Sequence, residues 1–372
     1  MFTLQEAIEA IKDKPEFSFK EKDGYSVIDY NLTMKDTFKG STERQTMILQ
    51  NLRGTCFDSY GKISRLMWHK FHNLGENEEY LPGNFDLSEP HHIEEKLDGS
   101  CIGIILQDKP DGLYWVFGTR AGVTDVSKIV DVWFDELRET DFDRYCDYVD
   151  FIQDCIADRL TPIFEFCSRQ NKVVIDYPVA DLILTGIRCM DTGEYQHAIN
   201  PGNSITVVKQ RHFGNTIEEV AASVKQLIGE EGVVVKFSDG RICKIKGDQY
   251  VSQHRALDSV LHEKNILKLI IEGKLDDVLP LVTPEIRIKL EAYQQQVIKG
   301  INDTETKIVD RFKEIDCEDR KVFAERAKGA IISPFLFSLK SGRGTGLKEF
   351  VLKNCGSRTD VESIRWIIGE EY

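Results

Sequence analysis

Lys96 lies in the run Glu95-Lys96-Leu97-Asp98-Gly99-Ser100, directly ahead of the strand-like stretch Cys101–Leu106. This order suits a lysine that attacks a nucleotide phosphate. An amine is a nucleophile only when neutral, and an unperturbed lysine keeps its proton to a pKa of about 10.4. Burial or neighbouring cations must loosen it. Gly99 would let the backbone come close to a substrate at the strand entrance. In Cys243-Lys244-Ile245-Lys246 two cations alternate, which puts Lys244 and Lys246 on one face of a strand. Such a pair repels itself unless an anion lies between its members, and a triphosphate is such an anion. Glu231, ahead of the apolar run Gly232–Phe237, needs a partner that a hard cation such as Mg2+ would provide through oxygen ligation. In Phe164-Glu165-Phe166 one carboxylate points to the face opposite two aromatics. Arg53, Lys70 and Arg120 add positive charge to an otherwise acidic region.

The elements that must carry these residues change character along the chain. Strand-like runs are expected at Tyr25–Tyr30, Ile93–Lys96, Cys101–Leu106, Tyr114–Gly118, Ile163–Cys167, Lys172–Ile175, Leu182–Arg188, Ile205–Val208, Gly232–Phe237 and Arg241–Lys246. Ser238-Asp239-Gly240 between the last two is a hairpin signal. Helices are expected over Leu4–Lys14, Val126–Arg138, Phe142–Arg159 and Ile217–Ile228. Strands outnumber helices and mostly follow one another directly, so antiparallel sheets with inserted helices are expected. From about His254 only helical periodicity remains, in Leu257–Ile271, Ile286–Ile301, Thr306–Ile315, Asp319–Ala330, Leu347–Lys353 and Val361–Ile368. The fold class is therefore α+β, with one domain over residues 1–254 and an all-helical domain over 255–372.

A chain of 372 residues is long enough for two domains with real cores. No apolar run reaches the length of a membrane span, and no basic segment leads into a hydrophobic stretch at the N-terminus, so neither a membrane association nor a secretory signal is expected. Nine cysteines, odd in number and without a Cys-x-x-Cys, point to reduced core thiols in a cytosolic compartment. The net charge of −14 argues against a polyanionic partner until its distribution is counted. Residues 255–372 hold 20 basic and 20 acidic residues, so the whole excess of acid precedes them. Between Arg320 and Arg358 there are nine basic residues against two acidic ones. A local basic surface of that kind can steer a polyanion. Gly342-Arg343-Gly344-Thr345-Gly346 lacks the strand and the Lys-Ser/Thr ending of a phosphate loop and reads as a turn. His91-His92 with Glu94-Glu95 fits no metal-ligand spacing.

Lys96-Leu97-Asp98-Gly99, Phe164-Glu165-Phe166, Glu231-Gly232-Val233-Val234-Val235-Lys236 and Lys244-Ile245-Lys246 resemble, in order, the motifs of the covalent nucleotidyltransferase superfamily. That superfamily holds ATP-dependent ligases and messenger-RNA capping enzymes. Tyr30-Asn31, Arg53-Gly54-Thr55-Cys56-Phe57 and Lys70-Phe71-His72-Asn73 look specifically like the bacteriophage RNA ligase 1 family. The resemblance spans roughly residues 25–250. Two positions depart from it: His72 stands where phenylalanine is typical, and Arg120 where lysine is expected, which keeps the charge but changes the donor geometry.

The resemblance implies an ATP-dependent RNA ligase. Lys96 would take AMP from ATP, pass it to an RNA 5′-phosphate, and a 3′-hydroxyl would then seal the strand. Lys244 and Lys246 would hold the α-phosphate and help Lys96 lose its proton. Glu165 would bind the ribose or orient the nucleotide, and Glu231 would serve Mg2+. Tyr30, Arg53 and Lys70 would reach the outer phosphates, with Glu95, Asp98, Gly99 and Arg120 completing the nucleotide site. Residues 1–254 would be the adenylyltransferase domain. Residues 255–372 would select the RNA, a broken tRNA being the example the resemblance suggests. The setting would be cytoplasmic, the host cytoplasm if a phage encodes the chain. A monomer is compatible with everything in the sequence, which leaves the oligomeric state open. Two alternatives stand beside this reading. A DNA ligase or capping guanylyltransferase would share the lysine chemistry but usually appends a small β-barrel after the paired lysines. A catalytically silent RNA-binding relative would form no covalent adduct.

Overall fold

A computed structural model describes residues 1–34, 36–196, 201–202 and 204–372. The chain divides into two compact units, Met1–Val251 and Ser252–Tyr372. The division lies three residues ahead of the place expected from the sequence, inside the helix Asp248–Val260.

Among its described residues the first unit has eleven strands. In chain order they are β1 (Phe17–Lys22), β2 (Tyr25–Tyr30), β3 (Thr55–Phe57), β4 (Ile63–Arg65), β5 (His91–Lys96) and β6 (Ser100–Lys109). There follow β7 (Gly112–Gly118), β8 (Leu160–Cys167), β9 (Asp181–Cys189), β10 (Gly232–Phe237) and β11 (Ile242–Lys246). They form three sheets, ordered β1-β2-β3-β4, β11-β10-β5 and β7-β6-β8-β9. Every pairing within them is antiparallel. Each sheet buries one face under helix. The helices Leu4–Ile11 and Glu43–Asn51 cover the first around Ala7, Leu49 and Phe57. The helix Ile217–Lys225 covers the second around Val220, Val233 and Val235. The helices Asp125–Thr140 and Phe142–Ala157 cover the third around Phe134, Tyr148, Phe164 and Phe166. Polar N-caps start these helices: the hydroxyls of Thr3, Thr42 and Thr216 each accept from a backbone N–H in the first turn.

Two expected strands are absent. In Lys172–Ile175 the amides of Val174 and Ile175 donate to the Asp98 carboxylate instead of to a neighbouring strand. The segment Ile205–Val208 touches β9 through a single parallel bridge, Leu184–Val207. It then crosses to β5, where Glu95 N–H donates to Lys209 O and Arg211 N–H to Ile93 O. A segment that leaves one sheet for another cannot hold a regular ladder with either. The short strands β1, β3 and β4 and the helix Glu43–Asn51 escape the sequence patterns.

The second unit is helical, and its core gathers Leu267, Leu290, Val297, Ile308, Leu336 and Ile364. The expected helices Ile286–Ile301 and Thr306–Ile315 are one 32-residue helix, Pro284–Ile315, because Thr304 is buried on the inner face and carries the apolar stripe across the polar stretch between them. The expected helix Leu257–Ile271 is instead two, Asp248–Val260 and Glu263–Glu272, and Val361–Ile368 likewise divides into Arg358–Ser363 and Arg365–Ile368. A further helix, Ser333–Lys340, carries Pro334 in its first turn, where proline's missing N–H costs nothing. Among the described residues no helix is long and apolar enough to cross a membrane.

Candidate active site

Lys96 ends β5, and register decides what it meets. Gly232 on β10 pairs with Lys96 on one side and with Lys246 of β11 on the other. The two lysines thus flank a residue with no side chain. Glu231, one residue earlier, fills the space. Its carboxylate is nearly inaccessible and pairs with both cations, 2.8 Å to Lys96 Nζ and 2.9 Å to Lys246 Nζ. Gly232 is obligatory here: its φ is +151°, and a Cβ would stand 2.0 Å from Ile245 O.

Lys244 stands two pairs further along, opposite Val234. Its N–H donates to His72 O (3.1 Å), and its carbonyl accepts from Leu74 N–H (2.9 Å), so the segment carrying Lys70 and Phe71 is laced to the edge of β11. The Lys244 ammonium nitrogen lies 5.6 Å from the Phe71 ring centre. Burial, then the charges of Lys70, Lys96, Lys246 and Arg53, push its pKa down to about 7.

Glu165 lies on β8 opposite Cys101 and faces away from its two buried aromatic neighbours. Its carboxylate accepts from Gly99 N–H at 3.2 Å. Burial raises its pKa to about 7, with Lys96 as the main opposing influence. Gly99 permits this contact because a Cβ there would lie 2.3 Å from Phe166 O. Asp98 has a different office from the one expected. It is buried, and its oxygens accept from Val174 N–H and Ile175 N–H (both 2.7 Å) and from Tyr250 O–H (2.7 Å). It braces the loop after β8 behind the lysine instead of facing the cavity.

A cavity of about 260 Å3 opens in front of Lys96, with Arg53, Glu95, Gly99 and Glu165 in its wall. Tyr30, Lys70 and Arg120 form an adjoining cluster. The Arg120 guanidinium lies 4.3 Å from the Tyr30 ring centre, and the Lys70 ammonium 5.7 Å from it. Arg120 also pairs with Asp29 at 3.3 Å. The Nε of Arg53 is buried with no protein partner, a donor left for a ligand. A smaller cavity of about 150 Å3 shares Trp68, Glu94, Thr185 and Lys236 with the first. In the shared wall the buried Lys236 ammonium pairs with Glu94 and lies 4.4 Å from the Trp68 ring centre.

The sequence reading missed three residues that build this site. Arg65 is fully buried, and its guanidinium donates to the carbonyls of Gly54, Gly118 and Arg120, fixing the turns that present Arg53 and Arg120. Tyr250 links Asp98 to the end of the unit, and its hydroxyl pKa is raised by burial and by the nearby charge of Glu231. Cys101 lines the cavity with its thiol pushed up to about 12 by burial and by Glu165, which leaves it unreactive. No spacing rule marks any of the three.

Among the described residues no three His, Cys, Asp or Glu side chains gather as a metal cage. Both oxygens of Glu231 are engaged by lysines. The donor set fits Mg2+ only in the mode where one carboxylate joins water and substrate phosphates around the ion.

Residues 51–250 match the sequence pattern of the RNA ligase family, just over half of the chain. A protein of Thermovibrio ammonificans provisionally named an RNA ligase is 26% identical over 303 residues, covering 77% of this chain and 74% of that protein. A provisionally named bifunctional polynucleotide kinase/RNA ligase of Autographa californica nuclear polyhedrosis virus is 28% identical over 274 residues, covering 68% of this chain but 37% of its own. Among solved structures, an archaeal ATP-dependent RNA ligase is similar at 16% identity and a TM-score of 0.43, covering 90% of this chain and 86% of that one.

Proposed function

Since the chain belongs to the RNA ligase family, we propose that it joins RNA 3′-hydroxyl and 5′-phosphate ends at the expense of ATP, with Lys96 as the nucleophile. One observation carries this reading. The Lys96 amine stands in the wall of a cavity of nucleotide scale, beside the two alternating cations of β11 and the carboxylates Glu165 and Glu231.

In the first step the Lys96 Nζ–Pα bond forms as the bond from Pα to pyrophosphate breaks. Lys244 and Lys246 neutralise the α-phosphate, and Arg53, Lys70 and Arg120 align the leaving pyrophosphate opposite the amine. Glu165, protonated or ionised near neutral pH, is placed to hold the ribose. A 5′-phosphate oxygen of RNA then takes AMP from the lysine, and a 3′-hydroxyl displaces AMP from that activated end. Mg2+, held by Glu231 together with the phosphates, would supply charge neutralisation at phosphorus. The nucleotide must therefore draw at least one Glu231 oxygen away from a lysine.

The helical unit would choose the RNA, a cleaved tRNA being one candidate. Arg320, Lys321, Arg326, Lys328, Arg343 and Lys348 are all exposed on it, as a phosphate-tracking surface requires. Among the described residues after Lys246 there is no strand, which disfavours an enzyme with an appended barrel. The nine cysteines are all free thiols, in keeping with a reducing cytoplasm.

Intact mass after incubation with ATP and Mg2+ tests the first step. The wild type is expected to gain one AMP and Lys96→Ala none; a wild type without adduct would leave only an RNA-binding relative. Charge reversal at Arg320, Lys321 and Arg326 should weaken RNA joining while the adduct still forms. Equal loss of both would refute an RNA-selecting role for the helical unit.

A further inference from the structure

Lys96, in the cavity wall, and the two lysines of β11, Lys244 and Lys246, share their counter-charge unequally. Lys96 and Lys246 divide the two oxygens of Glu231. Among the described residues no carboxylate pairs with Lys244. The charges that act on it most strongly are cations, and the segment bonded to its backbone also carries His72, whose partner is the Glu76 carboxylate. Lys70 reaches it from the segment laced to β11, Arg53 from the turn before β3, Lys96 from β5 and Lys246 from its own strand. Its ammonium group shares the Phe71 ring with the Arg53 guanidinium, at 5.6 and 5.8 Å from the ring centre. Glu165 and Glu231 balance Lys96 and Lys246 before they can balance Lys244.

We propose that Lys244 stands uncharged in the empty site and takes up a proton as the nucleotide phosphates enter, so that part of the charge gripping the phosphate is created by binding. This rests on the nucleotide reading above and goes beyond it. The lowered pKa of Lys244, about 7, agrees with the geometry. Phosphates placed against the amine favour its charged form and raise the pKa in the complex. The sign then follows from linkage. Below about pH 7 Lys244 is already an ammonium in the empty site, and binding draws no proton. Between that value and the higher pKa of the complex, each binding event draws up to one proton, and affinity falls as pH rises, by at most tenfold per pH unit. The empty site is thereby relieved of a fifth adjacent cation, with no carboxylate needed to cancel it.

The test is calorimetric titration with α,β-methylene-ATP and Mg2+, which binds without adduct formation, at pH 8 in buffers of different protonation enthalpy. The wild type is expected to take up close to one proton per bound analogue. Lys244→Arg stays charged at every working pH. It is expected to bind the analogue with little uptake and with a flatter affinity profile between pH 7 and 9. Lys244→Met should bind more weakly and also lose the uptake. Tight wild-type binding without uptake, or Lys244→Arg drawing as many protons as the wild type, would overturn the proposal; the second result would move the titration to another group such as Glu165. No binding of the analogue at any pH would remove the nucleotide reading itself, and the proposal with it.

Discussion

Replacing Asp98 by alanine should cost far more stability than its place in a surface-like charged motif suggests. In the folded unit its carboxylate is the acceptor for three donors, the amides of Val174 and Ile175 and the hydroxyl of Tyr250, each at 2.7 Å. Removing it leaves all three without that partner. Val174 and Ile175 are partly accessible and can recruit water, and the Tyr250 hydroxyl keeps Glu231 as a second partner, so each lost bond costs about 1 kcal/mol. The sum is about 3 kcal/mol, or roughly 6–12 °C in melting temperature for a unit of this size. Asp98→Asn separates charge from bonding. Its carbonyl can still accept from both amides, and its NH2 can donate to the phenolic oxygen, so only the charge assistance is lost, about 1–2 kcal/mol. Thermal melts of the three proteins measure the order. Hydrogen exchange at Val174 and Ile175 measures the cause, since protection of those two amides should fall in Asp98→Ala and largely persist in Asp98→Asn. Equal melting temperatures for the two variants, or unchanged protection in Asp98→Ala, would refute this account of Asp98.

Gly232→Ala places a methyl group 2.0 Å from Ile245 O at a φ of +151°, so it should lose more than about 3 kcal/mol in chemical denaturation and also fail to form the AMP adduct. Glu231→Gln keeps the shape of the bridge but turns two charge-assisted contacts into neutral ones, worth about 1 kcal/mol each by denaturation; an unchanged stability would mean the lysines find another partner. Glu165 is held protonated to about pH 7, above its unfolded value of 4.5. The folded state therefore binds the extra proton, and stability should fall as pH rises from about 4.5 to 7, by at most about 3 kcal/mol. Glu165→Gln should flatten that slope in pH-dependent melts, and a parallel slope would contradict it.

What the sequence could disclose depended on how far apart the cooperating atoms lie along the chain. Lys244 and Lys246 were legible because a strand's two-residue period is written in adjacent letters, and Glu165 between two phenylalanines for the same reason. The hairpin around Gly240, φ +90°, is equally local. The helical unit announced itself through periodicity over more than a hundred residues. Arg65 and Tyr250 did not, because Arg65 joins Gly54 to Gly118 and Arg120, more than fifty residues on, and Tyr250 reaches back to Asp98 from the end of the unit. Asp98 was placed at the nucleotide by the resemblance alone; the amides it accepts from, Val174 and Ile175, lie more than seventy residues on, where they made a strand-like sequence behave as a loop. The helix Ser333–Lys340 went unread, and its proline, Pro334, sits in the first turn, where a missing N–H is tolerated.

The buried guanidinium of Arg65 has a consequence for anyone who would retune this enzyme. Gly54 follows Arg53, Gly118 and Arg120 belong to the turn after β7, and one side chain ties all their carbonyls together. The two arginines cannot be repositioned separately: a shift that suits one drags the other through the shared knot. Libraries seeking acceptance of altered triphosphates would do better to vary both turns at once with Arg65 held fixed, because single-site searches will mostly sample broken anchors.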